Sequence, residues 1–274
     1  RVDTENIKYL ESAFIIDSTS PNTAQLIKMY VFLFFYVLNK SSEYSCIILN
    51  ISAIGNGFIS SLLSVLKKKI IIIAYAEELT VAIYSKSIKG IVKRLFMRGY
   101  KKASMIISVS HFAKNILQQS LSVKCPINVI PTPLHDEKLI QGNDSDQLTR
   151  KGMLSVGRLI KRKGFDLLLQ AYMEVKKDLP DTILTIIGSG PEFITLKNII
   201  DENNLADSVK IYSNVDSSFL RKQYQSHELF ILANLMLENG DCEGAPNVLI
   251  EAGAYGLPSI AGEEGGTSDV VEDG

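Results

Sequence analysis

Short β-branched runs alternate with longer amphipathic stretches along this chain. The runs predict strands at 46–51, 69–75, 105–109 and 127–130 and, after a break, at 152–156, 182–187, 209–212, 228–232 and 258–261. The stretches between them predict helices at 22–39, 56–67, 86–102, 111–119, 164–177, 191–203, 216–226 and 246–255. Strands separated by helices of this length need right-handed crossovers, and therefore parallel sheets. The run Ile70-Ile71-Ile72-Ile73 lacks polar alternation, as expected of a strand covered on both faces.

The rhythm breaks between Pro131 and Lys151, where Pro, Gly, Asn, Asp and Ser replace apolar residues. A boundary there predicts an N-terminal domain over 1–147 and a C-terminal domain over 148–274. Each is expected to be a Rossmann-like, doubly wound α/β unit, the two facing each other across a cleft. Ligands bind such sheets beyond the carboxyl ends of the strands. The first clear strand comes only after residue 45, although Phe14-Ile15-Ile16-Asp17 reads as a stub strand.

Composition fits this picture. With 274 residues, 46% apolar and 22% charged, the chain can bury one large core or two ordinary ones. Its three cysteines, Cys46, Cys125 and Cys242, are scattered and odd in number. That argues against a disulfide framework and for a reducing, cytoplasmic setting. No secretory signal is recognised in the opening residues. The most apolar stretch, 29–38, is shorter than the roughly 20 residues that span a bilayer. It reads as a core helix, with an interfacial helix as the alternative.

The net charge of −1 hides an asymmetry. Residues 1–150 carry 18 Lys/Arg against 11 Asp/Glu, a net +7, and residues 151–274 carry 11 against 19, a net −8. Lys86, Lys89, Lys93, Arg94, Arg98, Lys101 and Lys102 have no acidic residue among them. Ile88, Ile91, Val92, Leu95, Phe96 and Tyr100 are interleaved at helical spacing. Two readings stand side by side: a peripheral contact with an anionic membrane surface through 86–102, or a solvated helix face. Nucleic acid is not an expected partner, since nothing resembles a base-reading module.

The chemistry concentrates between Glu243 and Glu251. Pro246 suits the first position of a helix, where its missing N–H costs nothing. The N–H groups of Asn247, Val248 and Leu249 are then expected to point outward, unpaired, as an anion site. At a rise of about 1.5 Å per residue, Glu251 falls roughly 6 Å past Asn247. A carboxylate on each side of a phosphate pocket suggests a ligand with hydroxyls at both ends, such as a nucleotide-sugar.

This stretch resembles the E-x7-E signature of retaining GT-B glycosyltransferases, the group that builds lipopolysaccharide, capsule and glycolipid chains. Arg158 and Lys163, in Val156-Gly157-Arg158-Leu159-Ile160-Lys161-Arg162-Lys163-Gly164, resemble that family's phosphate-binding pair. Gly188-Ser189-Gly190-Pro191-Glu192 resembles its strand-to-helix turn, and Gly265-Gly266-Thr267-Ser268-Asp269 the segment after its donor loop. Ser108-Val109-Ser110 and Val129-Ile130-Pro131 resemble the end of its first domain. The resemblance covers 105–274, and residues 1–100 match only in rhythm.

The resemblance implies a GT-B fold and transfer of a hexose from a UDP- or GDP-linked sugar to a glycan or lipid-linked acceptor. It implies retention, with no metal and no other cofactor. Arg158 and Lys163 would bind the diphosphate and stabilise it as it leaves, and Glu243 would contact donor-sugar hydroxyls. Glu251 would accept from the ribose diol. Gly157, Gly188 and Gly190 would line the nucleotide, with Val215 near the base. The backbone of Gly244, Ala245, Pro246, Asn247 and Val248 would hold sugar and phosphate. Replacing Glu243 or Lys163 by Ala is expected to abolish transfer with the fold intact.

The sequence also departs from the family. No opening strand with a glycine-rich, acceptor-side loop lies in 1–39, and the sequence stops at Gly274 where family members continue. The expectation is a chain incomplete at both ends. Ala74-Tyr75-Ala76-Glu77 stands where a histidine often follows the second strong strand. None of His111, His135 and His227 reads as catalytic. Asp144-Ser145-Asp146 matches the metal-holding pattern of other glycosyltransferases, but it sits in the polar linker and reads as structural. Gly188 and Gly190 fail the dinucleotide pattern, because Phe193 stands where a third glycine is needed. Cys242 reads as a small filler, and Lys161 to Lys163, taken alone, as a solvated basic run. Two rival functions remain: a catalytically silent donor-binding partner subunit, or another GT-B-like enzyme such as an epimerase or phosphorylase.

Overall fold

The computed structural model of the protein describes residues 23–50, 53–64, 68–86, 90–133 and 149–272. The first unit runs α1 (Thr23–Lys40), β1 (Cys46–Leu49), α2 (Ala53–Leu63), β2 (Lys69–Ala74), α3 (Ala76–Tyr84), α4 (Ile91–Lys102), β3 (Met105–Ser108), α5 (His111–Gln119) and β4 (Ile127–Val129). Its parallel strands lie in sequence order, β1-β2-β3-β4, with Ile72 paired to Leu49 on one side and Ile106 on the other. Ile70, Ile72 and Ala74 are fully buried, whereas Ile71 and Ile73 are half-buried, so β2 is sealed on one face more tightly than on the other.

Helix α4 lies hard against α2. A methyl built on Gly99 would stand 1.7 Å from the Gly57 carbonyl oxygen, so the two backbones meet where only glycine fits. That approach buries Phe96 and Tyr100 completely. Each buried aromatic of this size is worth about 1.5–3 kcal/mol relative to exposure. Phe96 and Tyr100 of the basic helix are thus spent on the core, while Arg94, Arg98, Lys101 and Lys102 are exposed. Lys93 turns back, donating to the Ile83 carbonyl at 2.5 Å.

The second unit runs β5 (Met153–Val156), α6 (Phe165–Asp178), β6 (Leu184–Ile187), α7 (Phe193–Glu202), β7 (Val209–Tyr212), α8 (Ser217–Ser226), β8 (Leu229–Leu232), α9 (Asn247–Ala254) and β9 (Ser259–Ala261). All strands are parallel in the order β7-β6-β5-β8-β9. One core packs Phe165, Leu169 and Tyr172 of α6 with Leu196 of α7, and another packs Tyr224 of α8 with Leu249 of α9. Winding reverses between β5 and β8, the switch point beside which such sheets open a crevice. The loops leaving these two strands carry the chemistry described below.

The strands and most helices fall where the apolar pattern puts them. Helix α3 was not expected, and the predicted helix 86–102 starts at Ile91 instead, after Gly90 turns with φ 62°. Pro246 is the residue before α9, with ψ 111°, rather than its first member. The predicted boundary at 147/148, His135, Asp144 and Asp146 lie outside the described residues, as do Ile88, Lys89 and the 14–17 run. Among the described residues, no helix is long and apolar enough to cross a membrane.

Candidate active site

The chain leaves β5 as Gly157-Arg158-Leu159 and is zipped to the turn that leaves β6. Gly157 N–H donates to the Ile187 carbonyl at 2.9 Å, and Leu159 N–H to the Ser189 carbonyl at 2.9 Å. A methyl on Gly188 would lie 1.8 Å from the Gly157 carbonyl oxygen, so this backbone contact requires glycine there. Ser213 Oγ donates to the Gly188 carbonyl at 2.8 Å, and Ser189 Oγ to Asn214 Oδ1 at 3.1 Å. Gly157, Gly188, Gly190 and half-buried Val215 therefore share one set of linked loops at the strands' carboxyl ends.

Buried Leu159 anchors this segment, and a 3₁₀ turn over Lys161–Lys163 then directs alternate cations in opposite senses. Lys161 is exposed, whereas Lys163 is 8% exposed and faces the loop that leaves β8. There Glu243, 6% exposed, receives both neighbouring cations. Lys163 Nζ lies 2.7 Å from its Oε2, and Arg162 Nε lies 2.7 Å from its Oε1. Arg162 also donates to Asp241 Oδ1 at 2.8 Å. Burial alone would raise the Glu243 carboxyl, but Lys163 and Arg162 outweigh it and hold the group below its ordinary range.

Glu251 stands one helical turn into α9 and accepts a hydrogen bond from the Tyr224 hydroxyl at 2.8 Å. Tyr224 is itself clamped face to face with Tyr255, ring centres 5.3 Å apart. Burial raises the Glu251 carboxyl above its ordinary range, tempered by Tyr224 and by the positive charge of Lys163. Lys163 thus acts electrostatically on both acids, and its stem runs 3.5 Å from the side-chain position of Gly157.

The loop from Gly244 to Pro246 crosses the Gly265-Gly266 segment, with Gly266 N–H donating to the Glu243 carbonyl at 2.9 Å. The same region meets the first domain. Asp269 accepts from Phe112 N–H at 2.9 Å, at the start of α5, and Cys242 Sγ lies 3.6 Å from Thr80 Oγ1 of α3. Between the domains, Ala245, Asn247, Ile250 and Asp269 border a cavity of about 470 Å³ with Ser110, His111 and Thr132 on its other wall. Cys242 is fully buried, and burial raises its thiol, as fits a core filler.

Lys163 and Glu243 meet in an ion pair, and the charge of Lys163 also reaches Glu251. Arg158, on the same loop leaving β5, is exposed and forms no ion pair with a described residue. The helix tip offers less than expected, because Leu249 N–H donates to the Pro246 carbonyl at 3.0 Å, and Pro246 precedes the helix. Asn247 is exposed and Val248 half-buried at that tip. Sequence reasoning missed Arg162, Asp241 and Tyr224. Arg162 sat in what looked like a solvated run, and its partners lie about eighty residues away. His227 is a core residue, Nε2 3.0 Å from Thr185 Oγ1 and Nδ1 2.7 Å from the Gln223 carbonyl. Among the described residues, no three of His, Cys, Asp and Glu gather into a cluster able to hold a metal ion.

A family model described as glycosyl transferases group 1 matches residues 138–274, half of the chain. An uncharacterized glycosyltransferase of Haemophilus influenzae is 34% identical over 157 residues, covering 57% of this chain and 41% of that protein. A GDP-mannose-dependent alpha-(1-6)-phosphatidylinositol monomannoside mannosyltransferase of Mycolicibacterium smegmatis is 25% identical over 181 residues, covering 63% of this chain and 47% of that one. The chain thus spans less than half the length of these curated relatives. The crystal structure of Anabaena Alr3699/HepE in complex with UDP superposes with a TM-score of 0.68 at 18% identity, over 93% of this chain and 68% of that one.

Proposed function

The chain belongs to the glycosyl transferases group 1 family and has the GT-B fold, and from that footing we propose that it moves a hexose from a UDP- or GDP-linked sugar to a glycan or lipid-linked acceptor. The observation that carries this reading is the Lys163–Glu243–Arg162 cluster, set at the switch point beside the start of α9. A sugar-nucleotide diphosphate needs fixed cations or N–H donors. Exposed Arg158 is free to bridge two phosphate oxygens, and Lys163 supplies a mobile point charge once it turns from Glu243. Gly244, Ala245, Asn247 and Val248 present backbone toward the same anion. Glu243 and Glu251 then accept from hydroxyls of the sugar and the ribose.

In the reaction, the bond between the sugar's anomeric carbon and the diphosphate oxygen breaks as the acceptor oxygen bonds to that carbon. The acceptor's proton passes to the leaving phosphate on the same face, so configuration is retained. Arg158 and Lys163 stabilise the charge that builds on the diphosphate, an effect typically worth about 3–4 kcal/mol per donor. These side chains supply the positive charge that a divalent cation supplies elsewhere, so the reaction runs without metal. The exposed basic face of α4 supports a purely electrostatic contact with an anionic membrane surface from the cytoplasmic side. Sugar transfer from UDP- and GDP-sugars, followed with and without a chelator, tests the reading. Transfer unaffected by chelation supports it, and nucleotide binding without any transfer would point to a silent subunit.

A further inference from the structure

The first domain brings an acid of its own to the Glu243 loop. Helix α3 begins at Ala76, directly after β2, and Glu77 is its second residue. Across the domain boundary, a methyl built on Gly244 would lie 2.5 Å from Glu77 Oε2 and 3.3 Å from the Ala76 Cβ. The room left by the missing side chain of Gly244 is therefore filled by this carboxylate. Glu77 is half-buried, and its side chain forms no ion pair or hydrogen bond with a described residue. A partly dehydrated carboxylate without a donor is costly, and it is satisfied by hydroxyl or N–H groups brought by a ligand.

The contrast with Glu243 gives this acid its role. Both oxygens of Glu243 are already occupied, one by Arg162 and one by Lys163. Of the two acids at Gly244, Glu77 alone has no side-chain donor among the described residues, whereas Glu243 shares its lone pairs with Arg162 and Lys163. Glu77 would repel a phosphate, so the ligand group beside it must be neutral and rich in donors. We infer that Glu77 is a specificity-determining residue, accepting hydrogen bonds from hydroxyls of the transferred sugar on the first-domain wall beside the Glu243 loop. This inference rests on the donor-site reading above. Its field also reaches the cation cluster: burial opposes the Arg162 charge, and Glu243, Asp241 and Glu77 together overcome that.

The test is a calorimetric titration with UDP, UDP-glucose, UDP-N-acetylglucosamine, GDP and GDP-mannose, in the absence of acceptor. It compares wild type with Glu77→Gln, which keeps the shape and removes the charge. The expected result is that Glu77→Gln weakens the preferred nucleotide-sugar about tenfold while leaving the bare nucleotide within about twofold. Equal losses for nucleotide and nucleotide-sugar, or no loss for either, overturn the inference. So does a variant that binds donor normally and fails only in transfer, which would assign Glu77 to the acceptor. Wild type that binds none of the five ligands overturns the donor-site reading itself. Should Glu77→Gln not fold, Glu77→Asp withdraws the carboxylate by one methylene and carries the same comparison, with the same outcomes.

Discussion

Lys163 Nζ and Glu243 Oε2 stand 2.7 Å apart, and both side chains are less than one-tenth exposed. The pair joins the loop leaving β5 to the loop leaving β8 across the switch point. It is therefore structural as well as chemical. Glu243→Ala leaves buried Lys163 without its ion-pair partner and half-buried Arg162 with Asp241 alone, and breaking such a buried pair costs about 3–5 kcal/mol. Loss of transfer with an intact fold, expected from sequence, is thus better sought in Glu243→Gln. Urea unfolding of both variants checks this, with the Ala variant the less stable.

Arg158 separates binding chemistry from stability. It is exposed and outside the ion-pair cluster, so Arg158→Ala should change unfolding free energy by no more than about 0.5 kcal/mol. If it stabilises the leaving diphosphate, kcat should fall roughly 100- to 1,000-fold. Steady-state kinetics beside denaturant titration measures the two effects.

Glu251 should make nucleotide binding pH-dependent. Its carboxyl is raised by burial and partly restored by Tyr224 and Lys163, and only the ionised form accepts fully from a ribose diol. Affinity should fall as pH drops through this raised pKa. Tyr224→Phe removes a hydrogen bond that favours the ionised form, so the midpoint should move to higher pH. Nucleotide titrations carried upward in pH from the ordinary carboxylate value of about 4.5 follow the midpoint.

His227 should make stability decline on mild acidification, against an opposing gain from Glu251, whose raised carboxyl takes up its proton in the folded protein before the unfolded chain does. His227 is held below its ordinary value, first by burial, against the pull of the Gln223 carbonyl and Glu228. The unfolded chain takes up that proton below about pH 6.5, where the folded protein resists it. The contribution is complete above that pH and is lost as pH falls toward the depressed folded value. Glu243, also depressed, adds a second loss below about pH 4.5. His227→Gln should remove the first part of the slope and leave the second.

The contact between Gly99 and Gly57 predicts a cost for a single methyl. Gly99→Ala forces α4 from α2 and disturbs fully buried Phe96 and Tyr100. Overpacking of this kind costs about 1–3 kcal/mol, while the exposed basic face is unaltered. Thermal unfolding measures the loss.

Much of the second domain was legible in sequence, because each of its strands is a short apolar run and each helix has a clear amphipathic period. Lys163, Glu243 and Glu251 could be named because their spacing matches a known signature. Helix α3 was not legible. It follows β2 with no break, its N-cap is Tyr75 with no side-chain cap bond, and its nine residues give little periodicity. Arg162 and Glu77 escaped for another reason. Their meaning comes from contacts across the sheet's switch point or across the domain boundary, and local sequence carries no trace of such pairings.

The central claim is that a nucleoside diphosphate is held between Arg158, Lys163 and the start of α9. Calorimetric titration of UDP and GDP into wild type, Arg158→Ala and Lys163→Met tests it most directly. One of the two nucleotides should bind wild type, and each variant should lose about tenfold or more in affinity. Wild type that binds neither nucleotide, or variants that bind as tightly as wild type, would contradict the account.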